Sequence, residues 1–262
     1  MLTRLAKWSL LVGLAVMVLG ASASAQSGCA NGAPCVALGT DYLQTQPGSN
    51  FNFGPGIGVV NFMGLPIGPG NTDTTVQRQS DADINGGSIP IQITALSMES
   101  TAPVNVGGSF FDVFVTLDPK NLGNDRGSMS IMGSLAGGTF TSSFNVFFEA
   151  NFVPVGGGSG TPIFNNILLS NGGSAWSPTP PPSAVIVKGP FRDQSANTHA
   201  GLPANFVDFF PCSVAPCTED SSGAAHHVVQ PATTPEPSTF LLLGPAGIGL
   251  LWKLRAWRSA RV

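Results

Sequence analysis

The chain has 262 residues, of which 42% are hydrophobic and only 10% are charged, and it contains 33 glycines and 22 prolines. Typical soluble proteins have about 25% charged residues, so this composition indicates a turn-rich, low-charge extracellular protein. Residues 26–234 hold five lysines and arginines against thirteen aspartates and glutamates, a formal net charge of −8. This acidity argues against nucleic acid or anionic lipid as a partner bound through charge.

The first 25 residues have the three parts of a secretory signal peptide. Arg4 and Lys7 form a basic start, residues 10–19 are apolar, and small residues follow up to Ala25. This order predicts removal of residues 1–25 by signal peptidase, with cleavage between Ala25 and Gln26. An uncleaved N-terminal anchor is the alternative, and the short apolar run and small-residue exit disfavour it.

Four cysteines lie in the segment that would be exported, as two close pairs: Cys29 with Cys35, and Cys212 with Cys217. Because exported chains meet oxidising conditions, these residues predict disulfides. Four cysteines allow three connectivities; we favour two local loops, and a clamp between the domain ends is the alternative. Zinc binding by the second pair with His226 and His227 is a further hypothesis, although the spacing differs from Cys-x-x-Cys.

Residues 26–220 are predicted to form one extracytoplasmic β-domain. Apolar and polar residues alternate with a period of two, and no stretch shows helical periodicity. The predicted strands are Ile57–Met63, Ile89–Ala95, Phe111–Leu117, Phe140–Phe152, Ile163–Leu169, Ala184–Lys188 and Asn205–Phe210. The longest alternation, Phe140–Phe152, predicts a central strand. Short strands separated by Gly, Pro, Asn and Ser turns predict an all-β fold, an antiparallel β-sandwich or jelly roll.

Four segments have the composition of connectors. Residues 26–56 are polar and rich in glycine and proline, which predicts an extended entry segment with an edge strand. Residues 156–160 predict a flexible loop between strands, and the proline-rich residues 176–182 predict a stiff connector. Residues 221–234 are predicted to be a tether between the β-domain and the last stretch.

The segment Asp81-Ala-Asp83-Ile-Asn85-Gly86 matches the first half of an EF-hand loop. Oxygen ligands on alternate residues suit calcium, and the glycine permits the turn. The second half does not match, because Gln92 stands where the bidentate glutamate belongs and strand alternation replaces the helix. Asp81, Asp83 and Asn85 are therefore candidate ligands of a structural calcium ion, with a hairpin-type turn of solvated acids as the alternative. No other cofactor is expected.

Signals for catalysis are weak. The sequence contains no Gly-x-Ser-x-Gly, Walker A, Gly-x-Gly-x-x-Gly or His-Glu-x-x-His motif. Asp193, Ser195 and His199 lie close together, but their segment has no nucleophile elbow, and a solvated loop is the favoured interpretation. Polar residues expected on the surface, where they could bind sugars or serve as ordinary surface, are Asp41, residues 73–75 and residues 77–79. We therefore expect no enzymatic activity.

The last stretch combines a polar motif, an apolar run and a basic end. Residues 235–237 read Pro-Glu-Pro, residues 240–252 contain no charge, and four cations follow: Lys253, Arg255, Arg258 and Arg261. The apolar run is shorter than the ~20 residues that cross a bilayer core comfortably. Snorkelling cations and interfacial tryptophans extend it to a membrane segment over residues 238–257. The cations favour a cytoplasmic location for this end, which leaves the preceding chain outside.

In these features residues 235–262 resemble the PEP-CTERM sorting signal of Gram-negative bacteria, a module also catalogued as the ice-binding protein C-terminal domain. The resemblance implies recognition by an exosortase, a membrane transpeptidase, with Pro235, Glu236 and Pro237 as recognition residues and cleavage near them. The cations are spaced here, where the family often has an uninterrupted arginine run. A plain membrane anchor that is retained is the alternative interpretation.

These features together predict an exported protein of the cell envelope, the cell surface or the medium, anchored transiently in the inner membrane by residues 235–262. The resemblance also implies an association with extracellular polysaccharide, so a structural role in the matrix is the first hypothesis. A secreted carbohydrate- or calcium-dependent binding module is the second, and a secreted hydrolase is the third.

Overall fold

The computed structural model describes Cys29, residues 32–182, residues 184–212 and Cys217. In these residues the chain is all-β, with sixteen strands, one 3-10 turn at Pro69–Asn71 and no α-helix. The large sheet is antiparallel throughout its ladders, which confirms the predicted fold class at this level. Residues 1–25, the tether and residues 235–262 with their predicted membrane helix lie outside the described residues.

The strands are β1 (Cys35–Val36), β2 (Gly39–Leu43), β3 (Asn50–Asn52), β4 (Val59–Gly64), β5 (Thr74–Arg78), β6 (Ala82–Asp83), β7 (Asn85–Ser100), β8 (Val104–Val106), β9 (Ser109–Leu117), β10 (Arg126–Ser134), β11 (Gly137–Pro154), β12 (Thr161–Ser177), β13 (Lys188–Pro190), β14 (Thr198–Ala200), β15 (Phe206–Val207) and β16 (Phe210–Cys212). No helix among the described residues is long and apolar enough to cross a bilayer.

Two long strands, β7 and β11, form the frame of the large sheet. Strands β9 and β10 lie end to end between them, since each pairs with β7 on one side and β11 on the other. Strands β4 and β5 continue the sheet from β7, and β2 follows β5. Strand β12 extends it beyond β11, and β16 pairs with only the end of β12. Strands β3 and β8 add short pairings to β4 and β9.

The alternating strands bury two separate apolar clusters at the two ends of β7 and β11. The first core contains buried residues from β2, β5, β7, β10 and β11, with Trp176 and Phe209. The second core is built from phenylalanine, valine and alanine of β4, β9 and the far half of β11. Leu96 and Ile167 pack against both. An apolar cavity of about 60 Å³ is lined by members of both cores.

Most predicted strands lie where the alternation places them. Strand β11 contains the predicted Phe140–Phe152 and pairs on both sides, so the central-strand prediction is confirmed. In β7 the inward face is Ile89, Ile91 and Ile93, as expected. It then continues through Leu96 and not Ala95, because a bulge opposite β5 shifts the register by one residue.

Three predictions at or after the end of β12 differ from the structure in their bounds. The predicted connector, residues 176–182, begins only after Ser177, because Trp176 belongs to β12 and its side chain is buried in the first core. The strand expected at Ala184–Lys188 forms at Lys188–Pro190 instead, where it pairs in parallel with β14. Asn205–Phe210 is divided between β15 and β16, since each pairs with a different strand.

Candidate functional site

Both cysteine pairs form local disulfides. Cys29 bonds Cys35 and Cys212 bonds Cys217, with Cα–Cα distances of 5.7 and 5.6 Å. The favoured connectivity is therefore confirmed, and the clamp between the domain ends is wrong. Since the second pair is oxidised, its sulfurs are not thiolate ligands for zinc; His226 and His227 lie outside the described residues. The bridges secure β1 and β16, the first and last strands of the described domain.

In the predicted calcium segment, the carboxylates of Asp81 and Asp83 already contact protein groups. Asp81 is buried; one oxygen accepts the Leu38 backbone N–H at 3.0 Å and the other lies 3.3 Å from the Arg192 guanidinium. The Asp83 carboxylate accepts the backbone and side-chain N–H groups of Asn85 at 2.9 and 2.8 Å. Asp81 thus holds neighbouring segments together, while Asp83 shapes the turn. Calcium at Asp81, Asp83 and Asn85 stays a prediction.

Four of the seven polar residues expected on the surface in and beside β2 and β5 are instead buried. Asp41, Asp73, Thr74 and Arg78 all lie in the interior. Asp41 shares the inward phase of β2 with Leu43, and Thr74 and Arg78 share that of β5 with Val76, which is the sequence signal that places them inside. Asp73 precedes β5 and accepts hydrogen bonds from the backbone and side chain of Thr45. As interior groups they serve the fold, and they are removed from the set of sugar-binding candidates.

Arg78 is the centre of a buried ionic cluster. Its Nη1 bonds the Asp41 carboxylate, its Nε donates to the Ala37 carbonyl at 3.4 Å, and its guanidinium lies 4.8 Å from the centre of the Phe209 ring. Burial raises the pKa of Asp41 to about 6, and the adjacent Arg78 charge opposes that rise. The pair joins β2 and β5 to the segment that carries Phe209.

His199 forms a second ionic contact in the same region. Its Nδ1 lies 2.6 Å from Asp208 Oδ1, and its Nε2 lies 3.0 Å from the Asp193 carbonyl oxygen. Since both partners are acceptors, both ring nitrogens donate when the imidazole is charged. The hydrogen bond to Asp208 raises the pKa of His199 above its ordinary value of 6.5, against the opposing effect of burial. His199 is thus a buried residue of the predicted loop, whereas Gln194 and Ser195 are exposed, so the solvated-loop interpretation applies to only part of it.

Asp193, Ser195 and His199 lie together but do not have the geometry of a catalytic triad. The Ser195 hydroxyl donates to Asp193 Oδ1 at 2.7 Å, and the same carboxylate accepts the Ser195 N–H at 2.9 Å. His199 Nε2 is directed to the Asp193 carbonyl and its Nδ1 to Asp208. A triad needs the serine hydroxyl on the imidazole, so these contacts describe a hydrogen-bonded turn.

This turn lies against β2. The Thr40 N–H donates to the Ala196 carbonyl at 2.9 Å, and the Tyr42 hydroxyl donates to the Ser195 carbonyl at 2.5 Å. Gly39 allows the close approach, because a Cβ there would lie 2.5 Å from the Ala196 carbonyl oxygen. The segment 193–199 therefore covers the outer edge of β2 and fastens the later part of the described domain to its second strand.

Asp125 is a buried acid that sequence patterns did not identify. It lies in the connection between β9 and β10, where its Oδ1 accepts the Phe147 N–H at 2.7 Å and its carbonyl accepts the Ile93 N–H at 2.9 Å. Its Oδ2 has no hydrogen-bond partner among the described residues. Burial raises the pKa of Asp125, with a contribution from the charge of Asp118. Asp125 thus connects β7 and β11 at the point where β9 ends.

The sequence-predicted sorting and cleavage residues, Ala25, Gln26, Pro235, Glu236 and Pro237, lie outside the described residues. Within the described part, no group of three or more His, Cys, Asp and Glu side chains is placed to hold a metal ion. Comparison of the chain with protein-family models, with curated proteins and with solved structures gives no match.

Proposed function

We propose that this chain is an exported, exosortase-sorted protein of the cell surface or extracellular matrix of a Gram-negative-type bacterium, with a non-enzymatic structural role. The observation that carries the proposal is the order of features in residues 235–262: Pro-Glu-Pro, an uncharged run of 13 residues, and four spaced cations. The signal-peptide pattern in residues 1–25 supports export. The two disulfides of the β-domain support an oxidising destination.

In this proposal the β-domain is cargo with a sandwich-like or jelly-roll architecture. Both cores lie on one face of its large sheet, and Phe209 of the segment 184–212 is buried in the first core. The outer side exposes apolar and amide side chains, including Met132, Phe164 and Leu168. Disulfides persist under the oxidising conditions outside the cell, so a domain that carries two of them suits this destination.

Signal peptidase and an exosortase are the proposed partners during export, and residues 238–257 are the proposed membrane contact. Extracellular polysaccharide is the proposed partner at the destination, because the sorting module is associated with it. The protein would be anchored in the inner membrane only until residues 235–237 are processed.

Replacement of the Pro-Glu-Pro motif tests the sorting step. We would express the full chain in an exosortase-containing host with Pro235, Glu236 and Pro237 each changed to Ala, and follow it by immunoblotting of inner-membrane, surface and medium fractions. The unmodified chain should leave the inner membrane, and the variant should accumulate there at full length. A matched control changes the preceding Thr233 and Thr234 to Ala and should be sorted normally.

Two results would contradict this proposal. One is equal distribution of the motif variant and the unmodified chain. The other is an unchanged distribution of the unmodified chain in a host that lacks its exosortase. Retention of both forms in the inner membrane would favour a retained membrane anchor, whereas release of both forms would indicate a route that does not use the motif.

A further inference from the structure

Strand β12 has one long side without a partner. It pairs with β11 from Thr161 to Trp176, whereas its other side pairs only with β16, through Ala175–Ser177. Residues 161–174, called the open edge below, therefore pair with no strand on that side within the described part of the chain. At ~3.4 Å per residue this edge is ~48 Å long.

The open edge has few of the features that normally prevent strand addition, and its one bulge lies between Asn171 and Ser174, near the end that pairs with β16. Natural sheets protect their edges with charges, prolines, bulges or short strands. Strand β12 contains no charged residue over its 17 residues, and its single proline, Pro162, stands near one end.

Leu168 is 67% exposed and Phe164 is 43% exposed. The Asn166 N–H already donates to the Asn165 side chain at 2.8 Å, and the Lys120 ammonium lies 4.6 Å from the centre of the Phe164 ring. The Leu168 side chain and most of the backbone groups of this edge are available to an added strand.

The other edges of the large sheet are protected or short. The outer side of β2 accepts the turn 193–199, through the Thr40 and Tyr42 hydrogen bonds described above. Strands β3 and β8 have only three residues each. Among the described residues the open edge is thus the one long surface of this kind, and each molecule offers it once.

We propose that the open edge binds the same edge of a second copy of this chain in antiparallel orientation. Two identical strands that pair in antiparallel orientation are related by a two-fold axis. Both copies therefore use the one long free edge found among the described residues, and the assembly closes as a dimer. The two large sheets then form one continuous sheet, with Ile163, Ile167 and Leu169 on the side of the cores. Leu168 of each copy lies on the opposite face, near the axis.

Charge favours a second copy as the occupant. The β-domain is acidic overall, yet the open edge carries no acid. The nearest acid in the ladder is Glu149 of β11, which is opposite Phe164. In the dimer the two Glu149 side chains are separated by three strand spacings, ~14 Å, which exceeds the ~8 Å Debye length at physiological salt. Two acidic domains can therefore meet along this neutral edge. The inference is independent of the proposed sorting.

The test compares lysine substitutions at two positions of similar exposure, Leu168 and Met132. Leu168→Lys places like charges beside the axis, whereas Met132→Lys changes a residue of β10 that is 60% exposed and lies away from the edge. Sedimentation of the full chain in detergent should show a dimer for the unmodified protein and for Met132→Lys. Leu168→Lys should raise the dissociation constant at least about tenfold. Asn166→Lys is a second edge variant, and circular dichroism checks that each variant is folded.

Amide hydrogen exchange distinguishes the open edge from other contacts. Protection of residues 161–174 should increase with protein concentration in the unmodified chain and be lost in Leu168→Lys. A monomer at all concentrations would overturn the proposal, as would a dimer that Leu168→Lys leaves intact, which would indicate association through residues 238–257. Concentration-independent protection of the edge in a monomer would also overturn it, because another segment of the same chain would then occupy the edge.

Discussion

The two cores use the same pair of long strands but are stabilised by different means. The first core adjoins buried charges, because Arg78 lies over Phe209 and bonds Asp41. The second core is apolar and aromatic: Phe51 meets Phe148 edge-to-face at 5.1 Å, and Phe53 meets Phe152 at 5.5 Å. Within one sheet, apolar burial stabilises the second core, whereas the buried ionic contacts of the first core select one arrangement of its segments.

Each means of stabilisation suits its position. In the second core β9 and β11 pair directly, from Phe148 opposite Leu117 to Pro154 opposite Phe111, so the ladder sets their register and apolar burial is sufficient. The first core must also fix the position of residues 184–212, which are distant in sequence from most of the strands that build this core. A buried ion pair is weak evidence for stability, but it penalises every arrangement in which its partners do not meet. We therefore interpret the Arg78 and His199 contacts as devices that select one position for that segment.

The largest expected effect is that of Arg78→Met, which leaves Asp41 buried without its cation. Loss of one partner of a buried pair should lower the free energy of unfolding by about 4 kcal/mol in urea denaturation. The control is Arg192→Met, since Arg192 is exposed and its pair with Asp81 should be worth at most ~1 kcal/mol. If both variants lose the same small amount, the ionic cluster does not stabilise the first core as described.

A second variant, R78M with Asp41→Leu, sharpens this comparison. Removing both charges should recover most of the lost free energy, because no uncompensated charge remains. The segment 184–212 should nevertheless be less well fixed, which faster amide exchange near His199 would show.

In the second core, Phe148→Ala should lower the free energy of unfolding by about 3 kcal/mol through lost burial and a larger cavity. Phe148 already lines the cavity between the cores, so the new space joins an existing one. The exchange of amides near His199 should not change, since the ionic contacts lie at the other end of the sheet. Phe110→Ala, at an exposed position, is the control and should cost less than ~0.5 kcal/mol.

The smallest expected effect is a pH dependence from His199. Its folded pKa lies above 6.5, so its contribution is fully present below pH 6.5 and is lost as the pH rises through the folded value. The neutral ring can donate only one of the two hydrogen bonds, so about 1 kcal/mol should disappear between pH 6.5 and alkaline pH. Asp41, whose pKa is raised to about 6, changes stability in the same direction at lower pH.

Thermal unfolding of the unmodified chain and of His199→Gln isolates this contribution. The midpoint should fall with rising pH more steeply for the unmodified chain than for the variant. Parallel curves for the two proteins would show that His199 is not charged in the fold at neutral pH.

Strong alternation made β9 and β11 predictable from the sequence, because apolar residues recur at every second position and face inward. Examples are Val113 and Val115 in β9 and Phe148 in β11. Strand β10 was not predicted, because Met129 and Ile131 are its only buried apolar residues among glycines and serines. Its position is fixed by its long neighbours β7 and β11 and not by its own pattern.

The contacts of the candidate functional residues were likewise predictable only where they are local in sequence. The disulfides were predictable because each pair is local in sequence. The contacts of Arg78 with Asp41 and of His199 with Asp208 were not, because they depend on where the fold brings separate segments together. Polar residues in the inward phase of β2 and β5 were the available signal, and polarity alone had suggested a surface position.

Intact mass spectrometry of the protein recovered from native inner membrane, cell surface and medium tests the proposed sorting most directly. The surface and medium forms should begin at Gln26, contain two disulfides and end near Pro235. A mature form that extends through Val262 in every fraction would contradict the sorting proposal and identify residues 238–257 as a permanent anchor.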